Sequence, residues 1–191
     1  MMYYINFFSK NIIGLILLFA LITSCSKKLH NQTAEVIVYP APPDTARVQF
    51  LTKISSSRDV VKKKSSFSAF VVGEEKPSGI IKPYGMAAND GKIFICDLDL
   101  PGLEIIDLEK ASFEYFVPNG LGRLQLPINC FVDDNGFLYV ADVTRKQIVV
   151  FDNKLNYVDA FGEAENFKPT DVFVTDDKIW VANVKGKIHV Y

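Results

Sequence analysis

Three short apolar runs in this 191-residue chain each end on a carboxylate or an amide. Ile93-Phe94-Ile95-Cys96 ends on Asp97, Leu138-Tyr139-Val140-Ala141 on Asp142, and Ile179-Trp180-Val181-Ala182 on Asn183. Ahead of each run, just after a proline, stands another hydrogen-bonding side chain: Tyr84 behind Pro83, Asn129 behind Pro127-Ile128, and Asp171 behind Pro169-Thr170. Arg145, shortly after Asp142, is the one cation of the set. Such groups converging on a concavity can grip a polar ligand, and carboxylates such as Asp97 or Asp142 suit a divalent cation. The competing reading is local: Asp or Asn at a strand end bonds the backbone of its own turn, and recurring turn chemistry is what a repeat requires. Of the two histidines, His30 lies in a polar leader and His189 late in the chain, so no histidine zinc site is visible. No nucleophile elbow, phosphate loop or Cys-x-x-Cys is present. Lys and Arg total 21 against 22 Asp and Glu, and this near-balance disfavours nucleic acid as a partner.

The elements that must position these residues form a repeat. Each unit reads proline, short apolar strand, a turn rich in Asp, Asn or Gly, a second apolar strand, then Asp or Asn. A third strand follows in each: Leu103 to Asp107, Gln147 to Asp152, and Lys187 to Tyr191. Ser112 to Val117 and Tyr157 to Phe161 supply a fourth in two units. Four antiparallel strands in a period of roughly 40–45 residues predict an all-β chain of β-propeller blades. The second strands are apolar throughout, as expected for strands buried on both faces. In such a meander the entry to the first strand and the loop after the second share one face. Tyr84, Asn129, Asp171, Asp97, Asp142, Arg145 and Asn183 are therefore expected around a channel mouth. Cys96 and Cys130 sit in apolar strand runs and read as core.

The runs Val132-Asp133-Asp134-Asn135-Gly136, Tyr139-Val140-Ala141-Asp142 and Ile148-Val149-Val150-Phe151-Asp152 resemble the NHL repeat. With Gly85 after Pro83-Tyr84 and the N-terminal features below, the chain resembles the six-bladed NHL-type propeller lipoproteins of Bacteroidetes. Where that repeat usually carries Asn and Arg after the Asp, this chain has Arg145 and Gln147, or Leu100 and Gly102. The resemblance implies a binding or scaffold module that recognises a glycan, peptide or protein. It also implies an alternative, a metal-assisted lyase or lactone hydrolase with a divalent cation on the channel axis. No other cofactor is implied.

At the N-terminus, Lys10 precedes an apolar stretch from Ile12 to Ile22, and Thr23-Ser24-Cys25 is followed by Ser26-Lys27-Lys28. The stretch is shorter than the roughly 20 residues of a membrane-spanning helix and has the plan of a secretory signal. Small residues before a cysteine resemble the lipobox of bacterial lipoproteins, which implies cleavage after residue 24 and lipid on Cys25. The expected organisation is signal peptide 1–24, lipidated proline-containing tether 25–46 and partial propeller 47–191, anchored to a bacterial membrane, in the first instance the outer one. Segment 47–82 reads as outer strands of a preceding blade. Propellers close with 4–8 blades, so the chain reads as part of a roughly twice-longer protein. An open arc completed by a second chain, a pair of half-propellers, and a fragment without activity are the other readings.

Overall fold

A computed structural model describes residues 36–62, 76–162, 166–175 and 177–191. The expected signal, Cys25 and the first half of the tether, to residue 35, lie outside these residues. The chain divides into two compact units, Met1–Leu51 and Thr52–Tyr191. In the described part of the first, strands β1 (Val38–Tyr39) and β2 (Val48–Gln49) pair antiparallel across the proline-rich turn. Among the described residues, no helix is long and apolar enough to cross a membrane.

The second unit holds three antiparallel meander sheets. The first comprises β3 (Pro83–Asn89), β4 (Lys92–Asp97), β5 (Leu103–Asp107) and β6 (Ser112–Phe116), paired in chain order. The second comprises β7 (Pro127–Val132), β8 (Leu138–Asp142), β9 (Gln147–Phe151) and β10 (Tyr157–Phe161). The third comprises β11 (Pro169–Val174), β12 (Ile179–Asn183) and β13 (Lys187–Val190). The first strands β3, β7 and β11 lie next to one another in that order. Sequential four-stranded meanders stacked about their first strands are propeller blades, and the unit is a partial β-propeller.

The period-2 alternation of strands explains how one sheet serves two neighbours. Leu138 and Val140 of β8, with Val149 and Phe151 of β9, face the first sheet and meet Phe94, Cys96 and Leu103. The intervening Tyr139, Ala141, Ile148 and Val150 face the third sheet and meet Val172 and Val181. A strand buried on both faces has no polar side to keep, so β8 and β9 lack amphipathic alternation. Cys96 and Cys130 are both buried and unbridged in the first of these layers. The Cys96 thiol is raised far above its usual range by its hydrogen bond with Cys130 and by burial. Gly136, at φ 82°, closes the turn between β7 and β8, a conformation that most side chains resist.

Segment 47–82 does not form the strands of a preceding blade among the described residues. Val48–Gln49 belongs to the hairpin above, and Ser56 makes only an isolated bridge to Gly79. Residues 67–73, read as part of that blade, lie outside the described residues. Ile54, Val60 and Ile80 nevertheless pack on the outer face of the first sheet against Ile95, Ile106 and Phe113. Burial there is achieved by side-chain packing rather than by a strand ladder.

Candidate functional site

The residues that close the second strands are fastened to backbone. Asp97 is fully buried and accepts hydrogen bonds from the amides of Ile81 (2.8 Å), Lys82 (2.7 Å) and Asp99 (2.9 Å). Asp142, also fully buried, accepts from Gln125 (2.6 Å), Leu126 (3.1 Å) and Arg145 (2.8 Å). Asn183 repeats the arrangement, accepting from the amides of Lys168 and Lys185 and donating to the Asn166 carbonyl (3.1 Å). Each side chain ties the segment entering its blade to the loop leaving the second strand. An acceptor with several lone pairs is needed where turn amides point inward. Asp97, Asp142 and Asn183 therefore do not present free polar groups at a mouth. Burial works against charge at Asp97, but the amides of Lys82, Asp99 and Ile81 outweigh it and hold its pKa below the usual value.

The strand entries differ. In all three blades the ladder skips a residue just after the proline, at Tyr84, Ile128 and Thr170, a bulge that re-aims the side chains beside it. The equivalent positions are thus Gly85, Asn129 and Asp171. The Asn129 amide donates to the Asp171 carboxylate at 2.6 Å, joining the first strands of neighbouring blades. A Cβ at Gly85 would lie 2.6 Å from the Asn129 Cα, so that glycine admits the close approach of β7. Tyr84, set on the bulge, is 71% exposed. At the same end of the second sheet, Arg145 donates from Nε to Gln147 Oε1 (2.7 Å) and from Nη1 to the Arg123 carbonyl (2.8 Å). Among the described residues no carboxylate pairs with Arg145. Neutral acceptors fix its guanidinium. Of the seven sequence-derived residues, Asn129 and Asp171 are brought into contact, Tyr84 and Arg145 remain available, and the other three are structural.

One buried group was missed in the sequence. Glu104, in the middle of β5, is buried beside Asp97, and its Oε2 lacks a hydrogen-bond partner. Burial, then the charge of Asp97 and their mutual hydrogen bond, raise its pKa to about 7. The available signal is the register: Glu104 lies opposite Ile95 as Val149 lies opposite Val140. A carboxyl there departs from the apolar residue of the next repeat.

At the opposite end of the sheets, a crevice of about 510 Å³ opens between the second and third sheets, lined by Asp133, Phe137, Tyr139, Thr175 and Lys178 among others. A smaller one of about 280 Å³ recurs between the first and second sheets. Its recurrence marks it as a feature of blade stacking. Asp133 there accepts from the amides of Asn135 and Phe137, and burial followed by the Asp133 charge raises the Tyr139 pKa. Among the described residues, no group of three or more His, Cys, Asp or Glu side chains is placed to hold a metal ion. His189 lies on β13, its Nε2 3.3 Å from Asn183 Nδ2 and its ring edge-on to Phe167.

No family model matches the chain, and no curated protein matches it. Solved structures do. Virginiamycin B lyase from Staphylococcus aureus is 15% identical with a TM-score of 0.45, covering 58% of this chain and 41% of that one. A gluconolactonase from Xanthomonas campestris is 11% identical with a TM-score of 0.47, covering 61% and 40%. The calcium-binding protein regucalcin from Agrobacterium tumefaciens is 15% identical with a TM-score of 0.42, covering 56% and 40%. The chain thus spans about two fifths of the length of these structures.

Proposed function

We propose that the protein is an envelope lipoprotein of the NHL-propeller type, tethered through lipid on Cys25, whose blades bind a glycan, peptide or protein at the strand-entry end. The observation that carries the binding reading is the pair Asn129–Asp171. It is a polar bridge between the first strands of two blades, with exposed Tyr84 and an Arg145 held by neutral acceptors at the same end of the sheets. An amide, a carboxylate, an aromatic ring and a guanidinium together offer donors, acceptors and a stacking face, which suits hydroxyl-rich or amide-rich ligands.

Glycan arrays and arrays of defined peptides, probed with the protein and with Asn129→Ala, Asp171→Ala, Tyr84→Ala and Arg145→Ala, test the site. Loss of a specific signal by at least about tenfold in two or more variants supports it, a drop of about 1.4 kcal/mol in binding. A signal indifferent to all four, but lost in Thr175→Ala or Lys178→Ala, moves the site to the opposite crevice. The anchor is tested separately. Cys25→Ala should release the protein from the membrane fraction and abolish incorporation of labelled fatty acid; membrane retention of the variant would refute it.

A further inference from the structure

Cys96 on β4 and Cys130 on β7 come from different sheets, and both are buried in the layer that joins those sheets. Across the first ladder Cys96 pairs with Gly85, and the missing side chain at Gly85 lets Asn129 of β7 approach. The next residue, Cys130, brings its Sγ to 3.8 Å from the Phe94 carbonyl oxygen, on the strand and face that carry Cys96. The two thiols share a hydrogen bond.

The registers place both residues where successive blades meet. Asp97 closes β4 as Asp142 closes β8, so Cys96 corresponds to Ala141. Cys130 follows Asn129 as Val172 follows Asp171. Ala141 and Val172 are buried together in the layer between the second and third sheets. The same two positions thus lie in both interfaces, and in the first both are cysteine. A lone buried cysteine behaves as a small apolar residue. Two at matched positions on adjoining sheets, with their thiols in contact, have a covalent bond open to them.

We propose that Cys96 and Cys130 close into a disulfide between the first and second blades when the chain folds under oxidising conditions. One thiolate attacks the disulfide of an oxidant, such as oxidised glutathione or a thiol oxidoreductase, and releases its first thiol. The second cysteine then attacks the mixed disulfide and releases the other. Two electrons pass to the oxidant, and the two cysteine protons end on its released thiols. In the folded protein, burial and the raised pKa of Cys96 withhold the thiolate. Closure therefore belongs to folding, before β7 settles on β4, and burial afterwards shields the bond from reductants. The closed loop contains β5, β6 and the connection between the blades. The oxidising setting rests on the exported reading above; the ability of the pair to close does not.

Refolding the full chain from urea in glutathione redox mixtures, then alkylating in denaturant and mapping tryptic peptides, tests it. Peptides 93–110 and 124–145 should be recovered as one linked species. Reducing the link should raise the unfolding equilibrium constant by about a hundredfold. Cys96→Ala and Cys130→Ala, each checked for folding by circular dichroism, should show neither the link nor any sensitivity to reductant. Three results would overturn the proposal: both cysteines alkylated after folding in oxidised glutathione, a link to Cys25 in their place, or a linked form no more stable than the reduced one. A second measurement needs no refolding: thiols in whole cells are trapped by acid and alkylated in denaturant. Linked peptides there support both the disulfide and export. A link formed on refolding, with both thiols free in cells, supports the disulfide and counts against export.

Discussion

Among single residues, those that close the second strands show how a structural role is told from a chemical one. A buried carboxylate that accepts three backbone amides has both its oxygens committed to the turn, and removing it strands those amides. Asp142→Ala should therefore lower stability by about 2–4 kcal/mol in urea titration, since hydrogen bonds to charged groups contribute more than neutral ones. Asp142→Asn should cost less than the alanine variant but still destabilise. Both Asp142 oxygens accept amides, so an Asn would turn its NH2 donor on an N–H, whereas Asn183 accepts through its oxygen and donates to the Asn166 carbonyl. Glu104 makes a different prediction. Its folded pKa of about 7 lies above the ordinary 4.5. Between those values the folded state binds the extra proton, so stability falls as pH rises through that window. Asp97 acts oppositely: its pKa is lowered below 3.8, so its contribution is lost only under acid. Glu104→Gln should remove the decline between about pH 4.5 and 7, raising stability at pH 8 by up to about 3 kcal/mol. Thermal melts across that range decide it; an unchanged profile would mean that Glu104 is ionised in the folded protein.

At the level of the element, what was legible followed from periodicity. Proline, apolar strand, turn, apolar strand and Asp or Asn recur in register, and each strand of the three blades lies where that pattern places it. The turns were legible because Asn135-Gly136 and Asp90-Gly91 suit backbone with positive φ. In the described part of segment 47–82 the strand reading fails because apolar content does not distinguish a laddered strand from a stretch that only packs. Ile54, Val60 and Ile80 bury themselves without strand partners. The Asn129–Asp171 bridge was not legible, since it depends on how closely two first strands approach, and Glu104 was masked by its apolar neighbours. Gly85 carries a test of that approach. A methyl group there would press on the Ile128 carbonyl and the Asn129 Cα of β7 as well as on the Asn129 side-chain oxygen, and the backbone contacts are relieved only if β3 and β7 separate. Gly85→Ala should cost about 2 kcal/mol or more and weaken the Asn129–Asp171 bond. Urea unfolding gives the cost, and the Asn129 side-chain amide resonances report the bond. A neutral effect on both would show that the strands can part freely.

For the molecule as a whole, stacked sheets that touch only their neighbours should behave as a short linear array, with stability set by the number of covered faces. The second sheet is covered on both faces, by the first and third sheets. The first is covered by the second and partly by Ile54, Val60 and Ile80. Among the described residues, the third is covered on one face alone, with Trp180 and Ile188 exposed on the other. Amide hydrogen exchange should therefore be slowest in β8 and β9, faster in β4 and β5, and fastest in β13, because local opening draws on the faces that must separate. About tenfold in protection accompanies each 1.4 kcal/mol of opening free energy, so a gap of one buried interface should separate β8 from β13 by at least about a hundredfold. Uniform protection across the three sheets would instead mean that they unfold as one cooperative body.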